Sequence, residues 1–351
     1  MSYMGDLTDN QIKEDAQQQL NNWDRKHDNV VFIDTDGCVL DNMWAKQIGV
    51  FHPLFIEMFG LKNIELFFRI HAEFHNLWGK TRGEDRFLAI QDSLNSLLND
   101  REAKKVFQLD HIMRIKRSVD AYIQWIDDND DQKLGGPSLT RFHRQNGTDY
   151  MTTILLAWSE AVNRSFEFTT LKMPPFKHVK ETIMEISKNA DILVISATPY
   201  NDLRMWWENA GLKQYLTSIG SKEIGTKAEM IRIVMKNAEY DPNHSIMIGD
   251  GGKDKTSAYD NSILFLGTVP GKEEQIWKES INNVFNSLFN GVYKGSEYEK
   301  NNIEEFDNTL KEKGPWELPG YDPKKEYLKL QNNRIATYKE LGLPLDGLFL
   351  Y

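Results

Sequence analysis

The sequence predicts an α/β fold: a doubly wound parallel sheet interrupted by an inserted helical domain. Two observations predict it. From residue 176 onward short apolar, β-branched runs alternate with stretches of helical period, and a block with helical period and few strand-like runs fills about 45–173. Strands separated by helices require crossover connections, so they pair in parallel.

Residues 8–25 are polar and helix-compatible, and they lead into VVFID at 30–34, which reads as a buried strand. In the helical block Phe87, Ile90, Leu94, Leu97 and Leu98 recur at helical spacing, as do Val106, Leu109, Ile112 and Met113, then Val119, Tyr122, Ile123 and Ile126; all are expected in the core. The charged stretch with a glycine pair and a proline at 127–138 reads as a loop, and a further helix is predicted near 149–166, before Pro174 and Pro175 close the insertion. After it come helix 177–189, strand DILVIS, helix 201–210, a strand near LTSIG, helix 226–238, strand SIMIGD, a short helix, strand SILFLG and helix 273–290. VVFID should join that same sheet. The expected division is a core of 1–42 and 175–290, a helical insertion of 43–174 and a C-terminal arm of 291–351. The arm, ending LGLPLDGLFLY, is expected to dock on its own core or on a neighbouring subunit, which would make it a route to self-association.

At 351 residues the chain exceeds one typical domain, and 40% hydrophobic with 11% aromatic residues is an ordinary globular composition. One cysteine, Cys38, excludes an internal disulfide, and MSYMGDLTDNQIKED lacks the apolar run of a secretory signal, so the expected compartment is the cytoplasm. Apolar runs such as ILVI and ILFL are far shorter than the roughly 20 residues that span a bilayer. A formal charge of −10 disfavours nucleic acid and anionic lipid as partners.

In an open parallel sheet, ligands bind outside the carboxyl ends of the strands. Asp34 and Asp36 follow VVFI, Ser196 ends DILVIS, Lys227 opens the helix after LTSIGSKEIG, and Asp250 ends SIMIG with Asp254 four residues on. Carboxylates from two adjacent strand ends would form a negative cluster that wants a hard cation. Oxygen ligands without a suitable cysteine or histidine grouping favour magnesium. Beside a metal, Asp34 suits the role of nucleophile, because a carboxylate can form an acyl-phosphate and split hydrolysis into two easier steps. Asp36 could protonate the leaving oxygen and then deprotonate water, while Lys227 and the Ser196 hydroxyl hold the phosphoryl oxygens.

These motifs, DTDG at 34–37, ISAT at 195–198, Lys227 in GTKAEM and GDGGKD at 249–254, resemble in order the four motifs of the haloacid dehalogenase superfamily, over residues 30–42 and roughly 176–270. The resemblance implies a Rossmann-like core, Asp34 as nucleophile and Asp36 as acid and base. It also implies a magnesium site made by Asp34, the Asp36 backbone carbonyl and Asp250, with Asp254 ligating or orienting a metal-bound water. Thr35 and Asp36 point within that superfamily to phosphatases or phosphomutases. Cys38 stands where a hydroxyl-bearing residue is common, and Lys222 competes with Lys227 for the third motif. The insertion resembles the cap of many members, and GKTRGED at 79–85 is similar to a cap loop, which makes Lys80, Thr81 and Arg82 candidates for substrate contact.

The expected function is magnesium-dependent hydrolysis of a small phosphorylated metabolite. The alternatives are a sugar-phosphate phosphomutase with the same motifs and a non-catalytic phosphate-binding or scaffold protein. His71 and His75 in HAEFH invite a zinc reading, but the glutamate is misplaced for H-E-x-x-H and no third ligand is evident, so helix packing is expected. Cys38 reads as a small buried filler. Trp78, Trp125, Trp158, Trp206 and Trp207 read as packing residues, with Trp78, beside the cap loop, also a candidate to touch substrate.

Overall fold

The computed structural model describes residues 3–129, 132–146, 149–168 and 173–348, and they form two compact units. The first is Met1–Asn42 with Met173–Leu310; the second is Met43–Lys172 with Lys311–Tyr351.

The first unit is built on a parallel sheet of five strands, β1 (Asn29–Ile33), β2 (Ala190–Ile195), β3 (Ser218–Gly220), β4 (Ser245–Gly249) and β5 (Leu264–Gly267), in the order β3-β2-β1-β4-β5. Every strand residue is buried, as expected where helices cover both faces, and this is why the strands read as continuous apolar runs rather than alternating ones. The chain leaves β1 for β2 and β3 on one side, then returns to β4 on the other. The carboxyl ends of β1 and β4 therefore flank the point where strand order reverses, the position at which such sheets bind ligands.

The edge at β5 is closed by helix Glu297–Thr309. Asn302 accepts from the Gly267 N–H (2.8 Å) and donates to the Gly267 carbonyl (2.9 Å), so its amide supplies both bonds a further strand would give. Phe306 meets Phe265 edge to face at 5.1 Å between ring centroids. Capping an edge strand in this way removes a template for pairing with another chain.

In the second unit Phe87, Tyr122 and Trp158 interlock edge to face, and Trp158 donates its indole N–H to the Phe51 carbonyl at 3.2 Å. Two residues of the expected stripes are out of place: Val106 is 66% and Met113 39% exposed. The helical period read through 106–113 is broken because Asp100 caps a short separate helix, Arg101–Val106, accepting from Glu102 and Ala103 N–H, and the next helix, Asp110–Asp127, restarts with its own register. The glycine pair and proline expected to make a loop instead start a helix, Gly136–Asn146, with Pro137 in its first turn where a missing N–H costs nothing. Residues 130 and 131 of that stretch lie outside the described residues.

The segment expected as one arm is divided. Helix Glu297–Thr309 belongs to the first unit, and from Lys311 onward the chain belongs to the second. There Arg334 makes a two-pronged ion pair with Glu73 (both contacts 2.6 Å), and Arg69 reaches Glu65 (2.7 Å) and the Tyr338 hydroxyl (3.1 Å), all in buried surroundings. Tyr338 and Leu348 pack with Met43, Ile48 and Leu77. The last three residues of LGLPLDGLFLY lie outside the described residues.

Histidines 71 and 75 are spent on packing. His71 lies 3.1 Å from Asp100 Oδ2 and 2.8 Å from Ser96 Oγ; His75 lies 3.1 Å from Ser96 Oγ and 3.1 Å from Thr81 Oγ1. Among the described residues no helix is long and apolar enough to cross a membrane.

Candidate active site

Register brings the strand ends together. Ile33 pairs with Val194 on β2 and with Ile248 on β4, and the Asp34 N–H donates to the Ile248 carbonyl at 3.0 Å, so Asp34 stands level with the start of both loops. Asp250 leaves β4 beside it. Asp254 sits in the first turn of helix Gly252–Asp260, where its Oδ2 accepts from the Gly251 N–H at 3.0 Å. That approach needs a glycine at 249, since a Cβ there would lie 2.3 Å from Asp254 Cγ. The three carboxylates of Asp34, Asp250 and Asp254 converge within 4.8 Å of one another, and all three are buried.

Lys227 answers them. Thr226 and Glu229 form a reciprocal cap that starts helix Lys227–Ala238 at the lysine itself. Its ammonium lies 2.9 Å from Asp34 Oδ2 and 2.5 Å from Asp254 Oδ1. These two ion pairs put Lys227 at the carboxylates.

Burial pushes the Asp34 carboxyl well above its ordinary range; Lys227 pulls it down, and the charges of Asp254, Asp250 and Asp36 push it further up. Burial works against the Lys227 charge too, but Asp254 and Asp34 outweigh it and raise the ammonium's pKa. Three buried carboxylates concentrate negative charge at these strand ends. The donors are all oxygen, so the residues present fit a hard divalent cation.

Asp36 is set apart from this group. Gly37, at φ +68°, turns the backbone after it, and each Asp36 carboxylate oxygen is held: Oδ1 accepts from Asn42 Nδ2 at 2.6 Å and Oδ2 from Thr198 Oγ1 at 3.2 Å. Its carboxylate is not one of the three that converge. Neither Asn42 nor Thr198 was singled out by the sequence; the one available signal was a second hydroxyl in ISAT. Ser196 donates its N–H to the Gly220 carbonyl at 3.1 Å and its Oγ accepts from the Thr198 N–H at 3.2 Å, which leaves the hydroxyl proton to give. Thr35, between the two aspartates, turns to the other side, where Trp207 donates to it at 3.0 Å.

Cys38 is fully buried, its Sγ 3.7 Å from the Ile248 carbonyl, and burial followed by the charges of Asp34 and Asp250 pushes its thiol well up. A protonated thiol is a poor nucleophile. Lys80, Thr81 and Arg82 belong to the second unit, and the contacts seen for them lie within it. Lys80 faces Glu312 at 3.4 Å, Thr81 donates to the His75 carbonyl at 2.9 Å, and Arg82, only 4% exposed, donates to the Leu77 carbonyl at 2.9 Å.

Comparison with known proteins places the chain in a family. The family model for haloacid dehalogenase-like hydrolases matches residues 90–268, just over half of the chain. The match spans Ser196, Lys227, Asp250 and Asp254 and begins after Asp34 and Asp36. No curated protein matches the chain. Solved structures similar to it include a hydrolase of subfamily IA from Geobacter sulfurreducens, with 13% identity over 72% of this chain and 97% of that one and a TM-score of 0.38. A haloacid dehalogenase-like hydrolase from Xanthomonas campestris shares 10% identity over 76% and 94% at a TM-score of 0.38. CbbY from Rhodobacter sphaeroides, solved in complex with phosphate, shares 12% over 69% and 86% at 0.34. With more than half of its length matched by the family model, the chain belongs to the haloacid dehalogenase-like hydrolases.

Proposed function

We propose that the protein hydrolyses phosphate monoesters of a small metabolite with magnesium, Asp34 attacking phosphorus. The observation that carries this reading is the convergence of Asp34, Asp250 and Asp254 within 4.8 Å, with Lys227 reaching Asp34 and Asp254.

Asp34, Asp250, Asp254 and the Asp36 carbonyl would hold the cation, which would supply charge neutralisation between the carboxylates and the incoming phosphate. Asp34, fixed at the strand end, presents one carboxylate oxygen to phosphorus, and the ester oxygen leaves as the acyl-phosphate forms. Asp36 gives that oxygen its proton, then takes one from the water that cleaves the acyl-phosphate and restores Asp34. Asn42 and Thr198 hold the Asp36 carboxylate in one orientation for both transfers. Lys227 and the Ser196 hydroxyl bind the phosphoryl oxygens, so charge developing there meets donors already in place. Lys80 is retained as a candidate for substrate contact; Thr81 and Arg82 support the loop from within.

The test is inorganic phosphate release from a panel of phosphorylated metabolites. Chelator should abolish it and magnesium restore it; full activity in chelator would overturn the mechanism.

A further inference from the structure

The second unit contains a cavity of about 320 Å³, within the range of small-molecule sites. One wall is the helical segment carrying Ile70, Glu73, Phe74 and Trp78; the other is the chain from Lys311 to Arg334. Its interior is apolar, with Ile70, Phe74 and Leu330, a lining in which water finds few partners.

The charged groups are unequally committed. Glu73 is taken by Arg334 at 2.6 Å, and Glu326 by Lys329, so both carboxylates on the lining are already neutralised. Lys313 makes no ion pair or hydrogen bond among the described residues, so the lining carries one ammonium that neither of its carboxylates answers. An apolar chamber with a surplus ammonium selects for one anionic head on an apolar body. A multiply charged phosphate, with no apolar body, would leave the apolar wall unused.

We propose that this cavity binds a small amphipathic carboxylate, its chain against Ile70, Phe74 and Leu330 and its head on Lys313. The site is separate from the aspartate cluster and does not depend on the reaction assigned to it. Because its walls come from two distant stretches of chain, ligand bound there fastens the Lys311–Arg334 segment to the helix, and stabilises the native state by mass action.

The experiment is thermal unfolding and calorimetric titration of the full chain with millimolar octanoate, octanol and inorganic phosphate, on wild type, Lys313→Glu and Leu318→Trp. Leu318 lines the cavity and is 51% exposed, and Lys313 is exposed, so both variants should fold. Octanoate should bind saturably and raise the melting temperature, octanol and phosphate much less. Lys313→Glu should weaken octanoate by about fivefold or more through charge reversal, and Leu318→Trp should weaken it by narrowing the cavity. No octanoate binding, binding equal to that of octanol, or binding unchanged in both variants would each overturn the proposal.

Discussion

The Lys227 ammonium lies 2.9 Å from Asp34 Oδ2, joining the first residue of a helix to the residue that follows the central strand. That contact puts a cation directly onto the proposed nucleophile. Lys227→Met should lower kcat/KM for phosphate release by about 100-fold or more, the scale seen when a preorganised donor is removed. Steady-state kinetics at saturating magnesium checks this; a variant with wild-type kcat/KM would remove Lys227 from the site.

Asn42 and Thr198 both donate to the Asp36 carboxylate, and loosening it should be felt in turnover more than in binding. Asn42→Ala removes the 2.6 Å bond to Asp36 Oδ1 and should lower kcat by about tenfold, with KM changed little. Equal kcat in the variant would mean that the Asn42 bond is not needed to orient Asp36.

Arg334 and Glu73 form a buried two-pronged pair between distant parts of the second unit. Breaking a buried pair strands a charge, so Arg334→Ala should cost about 3–5 kcal/mol, whereas replacing both partners by apolar residues should cost far less. Urea unfolding of the two variants decides. Similar losses in both would mean that packing, not the stranded carboxylate, sets the cost.

Acid should weaken the second unit before it reaches the carboxylates. Burial, and then the neighbouring His71, hold His75 down at about 4, against an ordinary value near 6.5, and burial lowers His71 as well. Between those limits the unfolded chain binds protons that the folded one refuses. Stability therefore falls as pH drops from about 6.5 to about 4, with His75 contributing on the order of 3 kcal/mol at the low end. Asp100 is held low although burial opposes it, because His71 and the Ala103 and Glu102 amides stabilise its charge; its contribution is lost only at more acid pH. Urea midpoints at pH 7.5 and 4.5 should differ, and His75→Gln should reduce the difference; coincident midpoints in wild type would contradict this.

Much of the sheet was legible because buried parallel strands are short apolar runs ended by polar residues, and Asp34, Ser196 and Asp250 stand at those ends. The choice between Lys222 and Lys227 was open in the sequence, although Thr226 and Glu229 already spelled the cap that starts the helix at 227. Thr198 and Asn302 act through hydrogen bonds to residues far away in the chain, and Asn42 through a turn six residues after Asp36, so no helical or strand period encodes them. Val106 and Met113 were misread because periodicity was carried through a helix break, and the glycine pair before Pro137 because a breaker and a helix start share the same residues.

The most direct test of the account compares phosphate release by wild type and Asp34→Asn on the same phosphorylated metabolites with magnesium present. Release by wild type with none above background from Asp34→Asn is the predicted result; equal release from both would contradict the assignment of Asp34 as the nucleophile.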